Sequence, residues 1–397
     1  MSQNNLQLPA APPSLLEHPL VVSQGRGLVA SEQQFILKDY RAESTEPPVD
    51  LNVVIAEGWN VVGEYPNAES GHLVASIRLR RVGSPVRSVV IHNSTLGASA
   101  VKELFRELSD FHKLVTLKFD SFKLLLPSTL DPIREHCLFQ GKFPKLSTFT
   151  LIGNEHAPVG LLNSSTSLKA VTLLGPFTLD EFDLKNLVRH LPYLKHLAVL
   201  VKNGGQASAT ILNELLEIVE AEDGSDAPHP LDCLALDLGG EGIGELLKVV
   251  KYLPELRHLV LVHVGALAVD ELKRLRVACP ELETLFLFVG HGVTAVPWPF
   301  SRTQAMSVLK TFKKLRILGW DIEHITKGAP LDALAAATAI FKRLRHQCSS
   351  LETAYLVNKD ATDSSDGMMC DLSGGSQLAL VPRRTTMNEA VTAFLSV

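Results

Sequence analysis

At 397 residues and 46% apolar content, the chain is long enough to bury a sizeable core. A formal net charge of −5, from 38 Lys and Arg against 43 Asp and Glu, argues against a general nucleic-acid binder. Five cysteines, an odd number spread along the chain, exclude a disulfide framework. No run approaches 18 uninterrupted apolar residues, so no membrane span is expected. Met1 to Leu6 carries no basic segment ahead of an apolar run, the pattern of a secretory signal. The expected compartment is therefore cytoplasmic or nuclear, and the sequons at Asn93 and Asn163 read as accidental.

Residues 1–50 are rich in Pro, Ser, Gln and Glu and read as a disordered tail with two apolar islands, Leu15-Leu16 and Phe35 to Leu37. Residues 51–85 change character. β-Branched runs alternate with Gly58, Gly63, Gly71 and the Gly83-Ser84-Pro85 turn, which predicts a β-rich N-terminal cap.

From residue 86 one phrase recurs, a Leu or Val followed at fixed offsets by further apolar residues. Copies begin at Val86, Leu114, Leu146, Leu168, Leu194, Leu231, Leu256, Leu282, Leu315 and Leu351. Their spacing is irregular but sustained to residue 357, as in a solenoid whose units bury their apolar faces only against neighbours. Each unit is expected to open with a strand and usually to close with a helix. Helical periodicity marks residues 100–108, 211–219, 245–253, 270–278 and 331–344. Pro144, Pro192, Pro254 and Pro280 each stand two residues before a repeat's first Leu, where they end the helix and set the chain extended. The longer repeats carry loops, acidic at 220–230 and aromatic at Val296-Pro-Trp-Pro-Phe300. Residues 358–397 read as a flexible acidic loop and a capping helix opened by Thr386-Met-Asn-Glu389.

The phrase resembles the Leu-x-x-Leu-x-Leu unit of leucine-rich repeats. The junctions Leu191-Pro-Tyr-Leu194, Leu253-Pro-Glu-Leu256 and Cys279-Pro-Glu-Leu282 are similar to those of fungal F-box/leucine-rich-repeat proteins. The resemblance implies an α/β leucine-rich-repeat solenoid of about ten strand–helix units, with the strands on a concave face. It also implies, as an alternative role, the substrate receptor of a cullin-type ubiquitin ligase. The F-box itself is not recognisable. Leu8-Pro-Ala-Ala11 lacks the acidic residue of its opening phrase and leads into prolines, so an adaptor-binding segment is degenerate or absent.

Side chains alternate along a strand, so positions one, four and six of the phrase should enter the core and three, five and seven the concave face. That row holds His196, Leu200, His258, Val260, Val262, Phe286, Phe288 and Tyr355, an apolar set for a surface. Contiguous exposed apolar area marks a partner site, and aromatics anchor interfaces. The competing reading is that Val296 to Phe300 or Leu378 to Val381 folds over it.

Other chemistry is weakly signalled. His196, Cys233 and His258 fall in one row but match no zinc spacing, so no metal is expected. Gly239, Gly240, Gly242 and Gly244 miss the dinucleotide fingerprint and read as tight turning. Leu372-Ser-Gly-Gly-Ser-Gln377 has no accompanying phosphate loop. No catalytic constellation or cofactor motif is found. The expectation is a non-enzymatic scaffold with a protein partner, neither nucleic acid nor membrane; an enzyme or ligand sensor is the distant alternative.

Overall fold

The computed structural model describes residues 34–37, 53–55, 59–64, 76–81, 88–92, 95–96, 114–124, 143–153, 162, 165, 168–221, 229–265, 267–288, 302–321, 346, 348–357, 367–371 and 377–381. The chain divides into two compact units, Met1–Ser167 and Leu168–Val397. The helices expected at 100–108, 331–344 and the C-terminus, and the loop Val296–Phe300, lie outside the described residues.

The first unit holds β1 (Gln34–Leu37), β2 (Val53–Ile55), β3 (Trp59–Glu64), β4 (Ser76–Arg81), β5 (Ser88–His92), β6 (Thr95–Leu96), β7 (Thr116–Leu124) and β8 (Thr148–Gly153). β3 and β4 form an antiparallel pair, while β5, β7 and β8 run parallel. The apolar island at Phe35 to Leu37 docks as β1 beside β5, with β2 on its other side. Leu117, Phe119, Phe149 and Leu151 are fully buried, and the Phe119 and Phe149 rings meet edge-on at 6.2 Å.

The second unit is mixed α/β. Its strands are β9 (Ala170–Gly175), β10 (His196–Val201), β11 (Cys233–Asp237), β12 (His258–Val262), β13 (Thr284–Leu287), β14 (Ile317–Asp321) and β15 (Thr353–Val357). All seven run parallel, each pairing with the next in chain order. Between them lie α1 (Glu181–Val188), α2 (Gly204–Ala221), α3 (Gly244–Val250), α4 (Val269–Ala278) and α5 (Arg302–Leu309), each helix packed on its neighbours in chain order. Parallel strands need such crossovers. The sheet is not closed: β16 (Gly367–Asp371) and β17 (Gln377–Val381) extend it antiparallel beyond β15. Those two strands stand in and beside the stretch expected to be a flexible loop. The apolar runs Met368 to Cys370 and Leu378 to Val381 flank the Ser-Gly-Gly-Ser segment, and pairing satisfies their backbone groups.

One local construction repeats. Every phrase start is followed two residues later by the first residue of a strand, from Val86 and Ser88 to Leu351 and Thr353. The carbonyl of the phrase's second residue accepts two N–H groups from the following repeat. Lys195 O takes those of Asp232 and Cys233, Asp232 O those of Arg257 and His258, and Arg257 O those of Glu283 and Thr284. The pattern continues through Glu283 O and Arg316 O. It sets the repeat register by backbone alone.

The prolines act differently from the expectation of a plain helix stop. In Leu253-Pro254-Glu255-Leu256 the Leu256 N–H donates to Leu253 O at 3.1 Å, so proline takes the second place of a four-residue turn that favours its fixed φ. Leu146 to Phe143, Leu194 to Leu191 and Leu282 to Cys279 repeat the bond, and the accepting residue is buried each time. Phe312 and Cys348 make the same turn without proline.

Candidate functional site

The predicted row exists as a register. His196, Cys233, His258, Thr284, Ile317 and Thr353 are aligned across successive strands, and so are Ala198, Ala235, Val260, Phe286, Gly319 and Tyr355. Its centre is not a surface. Ala198, Cys233, Ala235, Val260, Val262, Phe286 and Phe288 form one buried apolar cluster. Val260 is 0% exposed and Phe286 1%, so this stretch is interior rather than an open docking face. Leu174, Leu200 and Ile317 pack against the cluster but stay partly buried, and His196 is half-buried at the start of β10. The side chain of Tyr355 lies outside the described residues.

Physical reasons for the burial are visible in neighbouring strands. The opposite face carries Leu234, Leu236, Leu259, Leu261, Leu285 and Leu287, all buried, so β11 to β13 are apolar on both sides. Such strands suit a parallel sheet covered on both faces, where sequence runs are continuously hydrophobic. Phe286 lies across Gly319 of the adjacent strand, whose missing side chain makes room for the ring. Phe288 stands 5.6 Å from Phe286 with the rings tilted by 51°, a favourable aromatic geometry.

Polar groups gather at both ends of these strands. At the N-terminal end, His258 is buried and its Nδ1 lies 3.0 Å from Thr284 Oγ1. His196 Nε2 is 4.0 Å from Asp232 Oδ2. Asp232 Oδ1, shielded from solvent, is 3.8 Å from Arg257 Nε, beyond hydrogen-bonding distance. Burial lowers the pKa of both histidines, opposed in each case by the Asp232 charge. The Cys233 thiol is pushed well up, by burial first and by Asp232 second. His196, Cys233 and His258 do not converge. Among the described residues no group of three His, Cys, Asp or Glu is placed to hold a metal ion.

At the C-terminal end, the Asp237 carboxylate is almost fully buried and receives His263 Nδ1–H at 2.8 Å to Oδ2 and 2.9 Å to Oδ1. It also accepts the Gly239 N–H at 2.9 Å. His263 is half-exposed and sits at φ +49°, a left-handed backbone that non-glycine residues seldom adopt. The surrounding glycines serve close approach. Gly239 has φ +59°, and a methyl placed on it would lie 2.7 Å from the Gly205 Cα. The turning role expected for Gly239 and Gly240 is what the backbone shows. The Asp–His pair escaped the sequence reading because the two residues are 26 apart. Its only signal was an Asp ending one strand phrase and a His following the next at the matching turn.

No family model matches this chain, and no curated protein matches it. Its chemistry therefore rests on its own residues. Buried cysteines are poor nucleophiles, with the Cys279 thiol pushed up to about 12 by burial and Cys348 raised by the same cause. The Asp237–His263 pair fixes a tautomer, with Nδ1–H on the carboxylate, and anchors the β12 turn to the β11 turn.

Proposed function

We propose that this chain is a recognition scaffold of leucine-rich-repeat type that binds a protein partner, with a sheet face whose centre serves as a second core. The observation that carries the reading is the repeat construction. Seven parallel strands follow chain order without the reversal of a doubly wound sheet, and one backbone ladder recurs at each junction. A sheet that is not closed supports this reading over an α/β barrel. Scaffolds of this kind offer an extended row of side chains rather than a cleft.

The burial of Val260, Val262, Phe286 and Phe288 moves the proposed contacts to the margin of the row. Leu200 on β10 and Leu174 on β9 combine partial exposure with apolar character, and His196 adds a half-buried imidazole at the start of β10. A partner side chain laid there would complete the cover over an existing core, the usual position of an energetic anchor.

The test is affinity purification of the tagged full chain from its native cell, alongside Leu200→Glu. The reading expects a co-purifying protein that Leu200→Glu releases while the variant still unfolds cooperatively above the purification temperature. A partner retained equally by both forms would refute this placement. Recovery of cullin and adaptor subunits would assign the ligase-receptor role.

A further inference from the structure

Histidines surround the start of β11. His229 stands two residues before the phrase's Leu231 and is 4% exposed. Its Nδ1 accepts the Leu231 N–H at 3.3 Å, and its Nε2 donates to the Leu191 carbonyl at 3.1 Å. A backbone N–H can only donate and a carbonyl only accept, so these bonds fix the neutral tautomer with its proton on Nε2. The ring joins the head of β11 to the turn Leu191–Tyr193 of the preceding repeat, 38 residues away. A proton on Nδ1 would set donor against donor in a buried site. Leaving a buried donor unsatisfied costs more than the bond itself contributes.

His196 and His258 flank the same strand, each in register with Cys233. Burial lowers the pKa of both below the imidazole value of 6.5, against the charge of Asp232. The nearby carboxylates are already engaged. Asp232 faces His196 at 4.0 Å and Arg257 at 3.8 Å, and Glu283 faces Arg316 at 3.7 Å. Lys195 and Arg257 place positive charge beside the two rings, and His196 acts on His258 in the same sense. At the Leu191 turn His190 is buried and Tyr193 exposed. Helix α2, packed on that turn, holds Glu217 and Glu220 in solvent and Glu214 half-buried. New cations at the start of β11 would compete for carboxylates that already have cations. Acid therefore acts on all three rings in one direction and at one joint.

We propose that the start of β11 is an acid-released joint, in which protonation of His229, with His196 and His258 beside it, frees residues 231–236 from the flanking repeats while distant strands stay paired. Repeat stacks open by neighbouring units rather than all at once. The release uncovers Cys233 and Ala235, members of the buried apolar cluster, and makes access to the sheet face depend on pH. It does not depend on where a partner binds.

The experiment is amide hydrogen exchange, read by mass spectrometry, on the full chain at pH 7.5 and 5.5, each rate being divided by its intrinsic value at that pH. At one unit below 6.5, each histidine held neutral only in the closed joint raises the opening constant about tenfold. Protection of residues 231–236 should therefore fall by about tenfold or more, while that of β15 changes by under about threefold. His229→Asn keeps an oxygen acceptor for the Leu231 N–H but takes up no proton in this range, so its loss of protection should be about tenfold smaller. If that variant does not fold, His258→Gln takes its place in the comparison. Equal protection at the two pH values would overturn the proposal. So would a loss as large in β15 as in residues 231–236, or an undiminished response in the folded variant.

Discussion

Gly319→Ala tests how tightly the sheet face is packed. A methyl at this position would stand 2.5 Å from Phe286 Cε1 and 2.7 Å from Cγ, and closer still to Cδ1. Phe286 is 1% exposed, so its ring has no open space into which to swing. Overpacking of this kind costs about 1–3 kcal/mol. Removing a glycine from a strand returns roughly 0.5–1 kcal/mol through the unfolded chain. The single variant should therefore lose about 1–2 kcal/mol. Phe286→Leu alone should also destabilise, by about 1–2 kcal/mol, through lost contact and residual cavity. In the double variant the new methyl occupies space the ring has left, so the losses should fall short of additivity by about 1–2 kcal/mol. Urea unfolding of the four proteins measures this, with Trp320 beside the substitution as a fluorescence reporter. Additive losses, or a neutral Gly319→Ala, would refute the packing described here.

Phe286→Ala should cost about 3–5 kcal/mol, seen in the same titration, because it empties a buried site; a loss under 1 kcal/mol would place the ring on the surface. Gly239→Ala combines a left-handed backbone with the approach of Gly205 and should destabilise by about 2 kcal/mol or more, read as a lower urea midpoint. His196 and His258 have lowered pKa values in the folded chain. Unfolding then takes up protons, so stability is full above the unfolded value of 6.5 and falls as pH drops below it. Urea midpoints at pH 7.5 and 5.5 should differ in that sense, and less so in His258→Gln; equal midpoints would contradict it. Arg316→Ala, which removes a bidentate pair with Glu352 between two exposed side chains, should change stability by under about 1 kcal/mol.

The repeat phrase made its strands legible because apolar residues recur at its fourth and sixth places, and each of these strands begins two residues after the phrase's first residue. The helices at Gly204–Ala221, Gly244–Val250 and Val269–Ala278 were legible through their apolar stripe. α1 was not singled out. Its sequence Glu-Phe-Asp-Leu-Lys-Asn-Leu-Val is short, and its start is fixed by Asp180 and Asp183 exchanging backbone bonds, a carboxylate version of the usual capping box. What one sequence does not encode is cover. Whether Val260 and Phe286 meet water depends on segments distant in the chain, and the same apolar row serves an interface or a core. Apolar residues on both faces through the middle of β11 to β13 were the sign of burial. Asp237 and His263 were hidden for a related reason, since their meeting depends on stacking two repeats in register.

The central claim, that the middle of the row is interior, is tested most directly at Cys233. This thiol lies in that row between His196 and His258 and is fully buried. Native protein is treated with a maleimide, and modified cysteines are mapped by peptide mass spectrometry against a urea-unfolded control. The account predicts that Cys233 stays unmodified while the protein is folded and reacts fully once unfolded. Rapid labelling of Cys233 in the folded protein would contradict it and return the row to the surface as an open recognition face.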